Sequence, residues 1–207
     1  MSKERFSLPV AEILLRTGAV TINTTEWFVY TSGIKSPIYC DMRWLISFPR
    51  ERDSIVQYLV QALELERQGD IDVVAGVATS GIPYASWVAD RIGKPMVYVR
   101  ESIKAHGKGR QIEGKLERGQ RVLVVEDLIT TGGSAIRTAN ALRNEGTKVT
   151  HCLGIFEYGL EHAHKAFEDA ELSTITLCSL TELLLCAHNA GTISDQEKSI
   201  VEGWLLA

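Results

Sequence analysis

The stretch Arg121-Val122-Leu123-Val124-Val125-Glu126-Asp127-Leu128-Ile129-Thr130-Thr131-Gly132-Gly133-Ser134 decides how this chain is read. An apolar run ends in two adjacent carboxylates, passes into a short loop rich in hydroxyls and glycine, and continues as a helical stretch over 134–145. In parallel α/β sheets ligands bind beyond the carboxyl ends of the strands. A loop at that place can wrap backbone N–H groups around a phosphate, and the start of the helix adds donors and a favourable dipole. Gly132 and Gly133 allow close backbone approach, while Thr130, Thr131 and Ser134 add hydroxyl donors. Glu126 and Asp127 would repel a phosphate unless they face something else. Ribose hydroxyls are suitable partners, because carboxylates accept their hydrogen bonds. One side for a ribose and the other for its 5′-phosphate describes a phosphoribosyl site.

The flanking sequence has the period such a segment requires. Apolar runs at 71–77, 95–99 and 148–156 join the one at 121–125, and helical stretches at 82–92 and 134–145 separate two pairs of them, closed by Gly93 and Gly146. Near-continuous apolar strands with helical crossovers predict an α/β fold, a central mostly parallel sheet with helices on both faces. A last strand at 172–178 and a final helix follow, with Ser194 and Glu197 spaced as a capping box. Ahead of the core, residues 8–17 read as a helix capped by Ser7, with Pro9 in its first turn and Gly18 as its stop. Short strands are expected at 27–31 and 38–42 around Ser32-Gly33, and a helix at 50–68 with Ile55, Tyr58, Leu59, Ala62 and Leu63 on one face. The expected organisation is one domain over 1–207, with 1–45 forming a small N-terminal cover and 70–160 the ligand-binding core.

The 207 residues are 45% hydrophobic and 23% charged, which excludes disordered, collagen-like and coiled-coil chains. No apolar run approaches the ~18 residues of a membrane span, and Glu12 and Arg16 interrupt the first apolar stretch, so neither membrane attachment nor a signal peptide is expected. Cys40, Cys152, Cys178 and Cys186 have no metal-ligand spacing and are expected reduced, in a cytoplasmic protein. The net charge of −4 argues against a nucleic-acid partner. Its distribution is uneven. Residues 100–121 carry seven basic and three acidic side chains, a local +4 against −8 for the remainder, and Gly107, Gly109, Gly114 and Gly119 in the same segment predict a mobile surface loop.

Val124-Val-Glu-Asp-Leu-Ile-Thr-Thr-Gly-Gly-Ser134 resembles the phosphoribosyl pyrophosphate (PRPP) signature of type I phosphoribosyltransferases. Two further segments narrow the resemblance to orotate phosphoribosyltransferases: the catalytic-loop pattern Arg100-x-x-x-Lys104-x-His106-Gly107, and the Ser32-Gly-x-Lys35-Ser-Pro37 element of the cover. The resemblance implies transfer of a phosphoribosyl group from Mg²⁺-bound PRPP to orotate, giving orotidine 5′-monophosphate and pyrophosphate. It implies a homodimer with shared active sites, in which the basic loop closes over the pyrophosphate of the neighbouring subunit. Lys104, Arg100, His106 and Asp127 are then the expected catalytic residues. PRPP would meet Arg100, Lys104 and His106, the run Glu126, Asp127, Leu128, Ile129, Thr130, Thr131, Gly132, Gly133 and Ser134, and the pyrophosphate loop at Thr79 and Ser80. Thr130 and Lys35 are assigned to orotate, with Arg43 as a second candidate cation. No protein residue is expected to bind the metal directly, PRPP carrying it.

Three positions depart from the family pattern. Ser80 stands where some relatives have a lysine, and Glu101 where many have a second loop lysine. Phe156-Glu157-Tyr158-Gly159 lacks an arginine that many members direct at orotate. A phosphoribosyltransferase of other base specificity would share the PRPP signature without needing the Lys35 element. A PRPP-sensing regulator would keep 126–134 but need neither the basic loop nor a base pocket.

Overall fold

The computed structural model describes residues 4–30, 33–66, 71–101 and 111–206. The chain opens with helix α1 (Glu4–Arg16), then forms four short strands, β1 (Val20–Ile22), β2 (Phe28–Val29), β3 (Lys35–Ser36) and β4 (Ile38–Cys40). A 3-10 helix (Met42–Ser47) leads into α2 (Pro49–Leu65). The alternating core follows as β5 (Val73–Val77), α3 (Gly81–Ile92), β6 (Met96–Val99), β7 (Ile112–Glu113), β8 (Arg121–Ile129), α4 (Gly133–Asn144), β9 (Lys148–Glu157), α5 (Glu161–Asp169) and β10 (Ser173–Ser179). Helices α6 (Leu180–Asn189) and α7 (Asp195–Leu205) close the chain.

Six strands form the main sheet in the order β10-β9-β8-β5-β6-β7, parallel throughout except for β7 at the edge. The predicted mostly parallel sheet with helices on both faces is the fold observed. Alternate residues of each central strand enter different cores. Val74, Leu123, Val125, Leu153 and Ile155 join the larger cluster under α1, α2, α3 and α6, while Val73, Ala75, Val122, Val124 and Cys152 pack under α4 and α5. Both faces are covered, which is why these strands read as continuous apolar runs. Chain order reverses between β5 and β8, and the loops leaving their carboxyl ends diverge there to leave a crevice.

The periphery departs from expectation in identifiable ways. Helix α1 begins a turn earlier than predicted, so Ser7 and Pro9 lie inside it; Pro9, with no N–H, leaves out the i→i−4 bond to the Arg5 carbonyl. The strands predicted at 27–31 and 38–42 do not pair with each other. Phe28–Val29 pairs with Lys35–Ser36, and Ile38–Cys40 pairs with Val20–Ile22, a strand hidden between α1 and the following turn. Part of the glycine-rich segment is structured: Ile112–Glu113 pairs with β6, and Arg100 and Gln111 exchange hydrogen bonds (backbone N–H to Gln111 O, 2.9 Å; Gln111 Nε2 to Arg100 O, 2.8 Å). One final helix was expected and two are present, each with a capping box, Ser179–Glu182 and Ser194–Glu197. The first box is masked in the sequence by apolar residues running from β10 directly into α6. Cys152 and Cys178 are buried and none of the four cysteines is paired.

Candidate active site

At the β5/β8 divergence lies an open cleft of about 280 Å³. Ala78, Thr79 and Ser80 reach it from the turn after β5, Glu126, Asp127 and Leu128 from the end of β8, and Ser134 from the first turn of α4. The cover supplies its remaining wall, Cys40 to Arg43. A second recess of about 100 Å³ adjoins it, sharing Ala78 and Ser134 and bringing in Arg100, Glu101, Gln111 and Arg137. The peptide between Ala78 and Thr79 is cis.

Strand β8 runs four residues past the predicted end, so Glu126 and Asp127 lie within it. Both are almost fully buried, at 4% and 8% exposure. Glu126 accepts hydrogen bonds from the Ser134 hydroxyl (2.7 Å) and from the Asp127 N–H (3.2 Å). Burial, with the Asp127 charge beside it, pushes the Glu126 carboxyl up to about 8. Burial raises Asp127 as well, opposed by hydrogen bonds from its own N–H and that of Leu128.

A raised carboxyl binds a proton in the folded protein at pH values where the unfolded chain, with its ordinary value near ~4.3, has lost it. The folded state therefore holds more protons across that window, and stability falls as pH rises from about 4.3 towards 8. Glu126→Gln removes this dependence. Denaturant midpoints measured from pH 5 to 8 should show the variant gaining steadily on the parent protein, and a constant difference would contradict the burial argument.

The cover wall is organised by Asp41. It caps the 3-10 helix by accepting the Arg43 N–H (3.1 Å) and grips the Arg43 guanidinium through two bonds of 2.6 Å. That pairing holds the Asp41 carboxyl below the usual carboxylate range. Arg43 remains largely exposed and also feels the Asp127 charge. Behind this wall, the buried Tyr84 of α3 donates its hydroxyl to the Met42 carbonyl (2.7 Å).

The tertiary structure thus gathers Thr79, Ser80, Glu126, Asp127, Leu128 and Ser134 into the cleft, with Arg100 in the adjoining recess, 3.4 Å from Glu113. Thr130, Thr131, Gly132 and Gly133 form the turn into α4 beside it. Gly132 has φ +76°, and a side chain there would overlap the Phe167 ring. Ile129 is turned inward, its side chain in the core and its carbonyl accepting the Tyr158 N–H (3.0 Å). Lys35 is not part of the cleft wall; it sits on the exposed side of β3, and its carbonyl is held by the Trp204 indole (3.0 Å). Among the described residues, Arg43 is the cation in the cleft lining. Lys104 and His106 lie outside the described residues. Sequence reasoning missed Asp41, whose signal was its position two residues before Arg43 at a helix start.

A phosphoribosyl transferase domain profile matches residues 52–180. An orotate phosphoribosyltransferase of Coxiella burnetii is 46% identical over 195 residues, covering 94% of this chain and 93% of that protein. The chain belongs to the orotate phosphoribosyltransferase family. Among solved structures, the family member from Aeropyrum pernix superposes with a TM-score of 0.74 at 32% identity, over 89% of this chain and 99% of that one. The UMP synthase of Leishmania donovani shares the fold, with a TM-score of 0.80 at 24% identity over 96% of this chain, which spans 42% of that longer protein. In family terms, the matched domain runs from α2 through β10 and includes both core loops of the cleft; the cover wall lies ahead of it.

Proposed function

We propose that the chain joins N1 of orotate to C1 of the PRPP ribose, releasing pyrophosphate and giving orotidine 5′-monophosphate. The observation that carries this reading is the convergence on one cleft of the buried Glu126–Asp127 pair, the Thr79–Ser80 turn, the α4 N-terminus and the Arg43 wall. The turn from Thr130 to Ser134 anchors the 5′-phosphate, with the helix dipole behind it. Glu126 and Asp127 accept the ribose hydroxyls and lie near the positive charge that develops on the ring as the bond to pyrophosphate breaks. Thr79 and Ser80 present the pyrophosphate loop, and Arg100, Lys104 and His106 stabilise the departing anion. Arg43 and Thr130 face the base, Arg43 as the cation for its carboxylate; Lys35 contributes through the cover strand it belongs to.

Among the described residues no cluster of three His, Cys, Asp or Glu could enclose a metal ion. The hard oxygens of Glu126 and Asp127 suit Mg²⁺ carried on PRPP, assisting through the substrate. Such an ion supplies charge neutralisation on the diphosphate. A cytoplasmic homodimer completes the reading, with no nucleic acid or membrane involved. Trp27, Val29, Ile34 and Trp44 of the cover are exposed apolar side chains that a second copy could cover.

Mixing the protein with Mg²⁺, PRPP and orotate and following orotate's ultraviolet absorbance tests the activity. Absorbance should fall, and turnover of a purine instead of orotate would overturn the base assignment. Lys104→Ala should lower kcat by about a hundred- to a thousandfold, the usual cost of removing one preorganised stabiliser of transition-state charge. PRPP affinity, measured by calorimetry without orotate, should change much less. An unchanged kcat would remove Lys104 from the chemistry.

A further inference from the structure

Tyr158 follows β9 and is 3% exposed. Its N–H bonds the carbonyl of Ile129, the residue from which the 130–133 turn departs. Its phenol reaches in the other direction, into the cover, where its oxygen lies beside Cys40 and 3.1 Å from Tyr30 Oη. Tyr30 Oη in turn lies 2.7 Å from the Ile38 carbonyl, which also accepts the Ser36 hydroxyl at 2.8 Å. A carbonyl can only accept, so the shortest bond fixes the sense of the chain. Tyr30 gives its proton to Ile38, and the Tyr158 hydroxyl donates to Tyr30.

The chain of bonds from the Tyr158 hydroxyl ends on the Ile38 carbonyl, shortly before the Asp41–Arg43 wall. The opposite end of the wall is fastened separately, by Tyr84 at Met42. One residue therefore touches both the strand end that launches the phosphate turn and the strand that leads into the base wall.

We propose that Tyr158, acting through Tyr30, is a positioning residue that sets the spacing between the base wall at 40–43 and the phosphate turn at 130–134, and so governs affinity for the base. This deepens the orotate reading of the cleft and rests on it. The packing around the ring is independent of the hydroxyl: Phe156 and Trp204 lie against it at centroid distances of 6.1 and 6.2 Å. Phenylalanine keeps those contacts and removes only the polar link.

The test compares the parent protein with Tyr158→Phe, Tyr30→Phe and the double variant. KM for orotate should rise about tenfold in Tyr158→Phe, of the order of one lost hydrogen bond. Its kcat and its PRPP affinity should stay within about twofold and its thermal midpoint within a few degrees. The double variant should be no worse than the more impaired single variant, because both substitutions cut one chain. An orotate KM within twofold of the parent overturns the inference. So does an equal weakening of orotate and PRPP with a large fall in midpoint, the signature of a merely structural tyrosine. A parent protein inert towards orotate overturns the reading of the cleft and this inference with it, whereas an active parent with an unaffected Tyr158→Phe overturns the inference alone.

Discussion

Asp127→Asn is expected to lower kcat roughly a hundredfold while leaving the fold as stable as before, or more so. A carboxylate at ~5 Å from a developing unit charge, in surroundings of effective dielectric ~20, contributes roughly 3 kcal/mol, and each ~1.4 kcal/mol is tenfold in rate. Asp127 is placed to exert that effect, being 8% exposed and shielded from solvent. The same burial makes its charge costly in the empty site, and desolvation raises the carboxyl. Asparagine keeps the shape and loses the charge, relieving that desolvation cost. Steady-state kinetics with saturating substrates, alongside a calorimetric melt, checks both halves. Activity within threefold of the parent would remove Asp127 from the chemistry. A lost fold with lost activity would mean that the carboxylate holds the strand end together.

Gly81→Ala should be a strongly damaging small substitution beside the cleft. Gly81 begins α3 immediately after the Thr79–Ser80 turn, and a methyl group there would stand 2.5 Å from the Val125 carbonyl oxygen and 3.3 Å from the Glu126 Cα. Neither is the end of a flexible side chain, so helix and strand must part. Overpacking of this kind costs about 3 kcal/mol, which for a chain of this length lowers the melting midpoint by roughly 10 °C. Displacing β8 at Glu126 also moves the carboxylate pair, so residual folded protein should have lost at least tenfold in activity. Gly203→Ala is the control: it lies within α7 with nothing inside 4 Å of the added carbon, and should stabilise by about 0.5–1 kcal/mol. A Gly81→Ala protein that melts with the parent would refute the close approach of α3 to β8.

The parts of the site legible from sequence are those built from contiguous residues. Strand, loop and helix around 121–145 and around 73–92 each announce themselves locally, because a buried strand is apolar throughout and a phosphate turn needs glycine and hydroxyls in immediate succession. The parallel sheet follows from that alternation, and the family follows from the motifs. Strands as short as Val20–Ile22 and Lys35–Ser36 carry no such period, and their pairing depends on partners supplied by the fold. Lys35 and Arg43 are equivalent in sequence as basic residues of the cover, and only the register of β3 and the cap at Asp41 place Arg43 on the cleft.

The sequence by itself determined the α/β sheet, the phosphoribosyl character of the loop after β8 and the orotate phosphoribosyltransferase family. The tertiary structure decided how deeply Glu126 and Asp127 are buried, which cover residue faces them and what holds the cover in place. Tyr30 and Tyr158 are 128 residues apart, and Met42 and Tyr84 are 42 apart. Hydrogen bonds over such separations leave no local periodicity to read, since their geometry exists only after sheet, helices and cover have packed together.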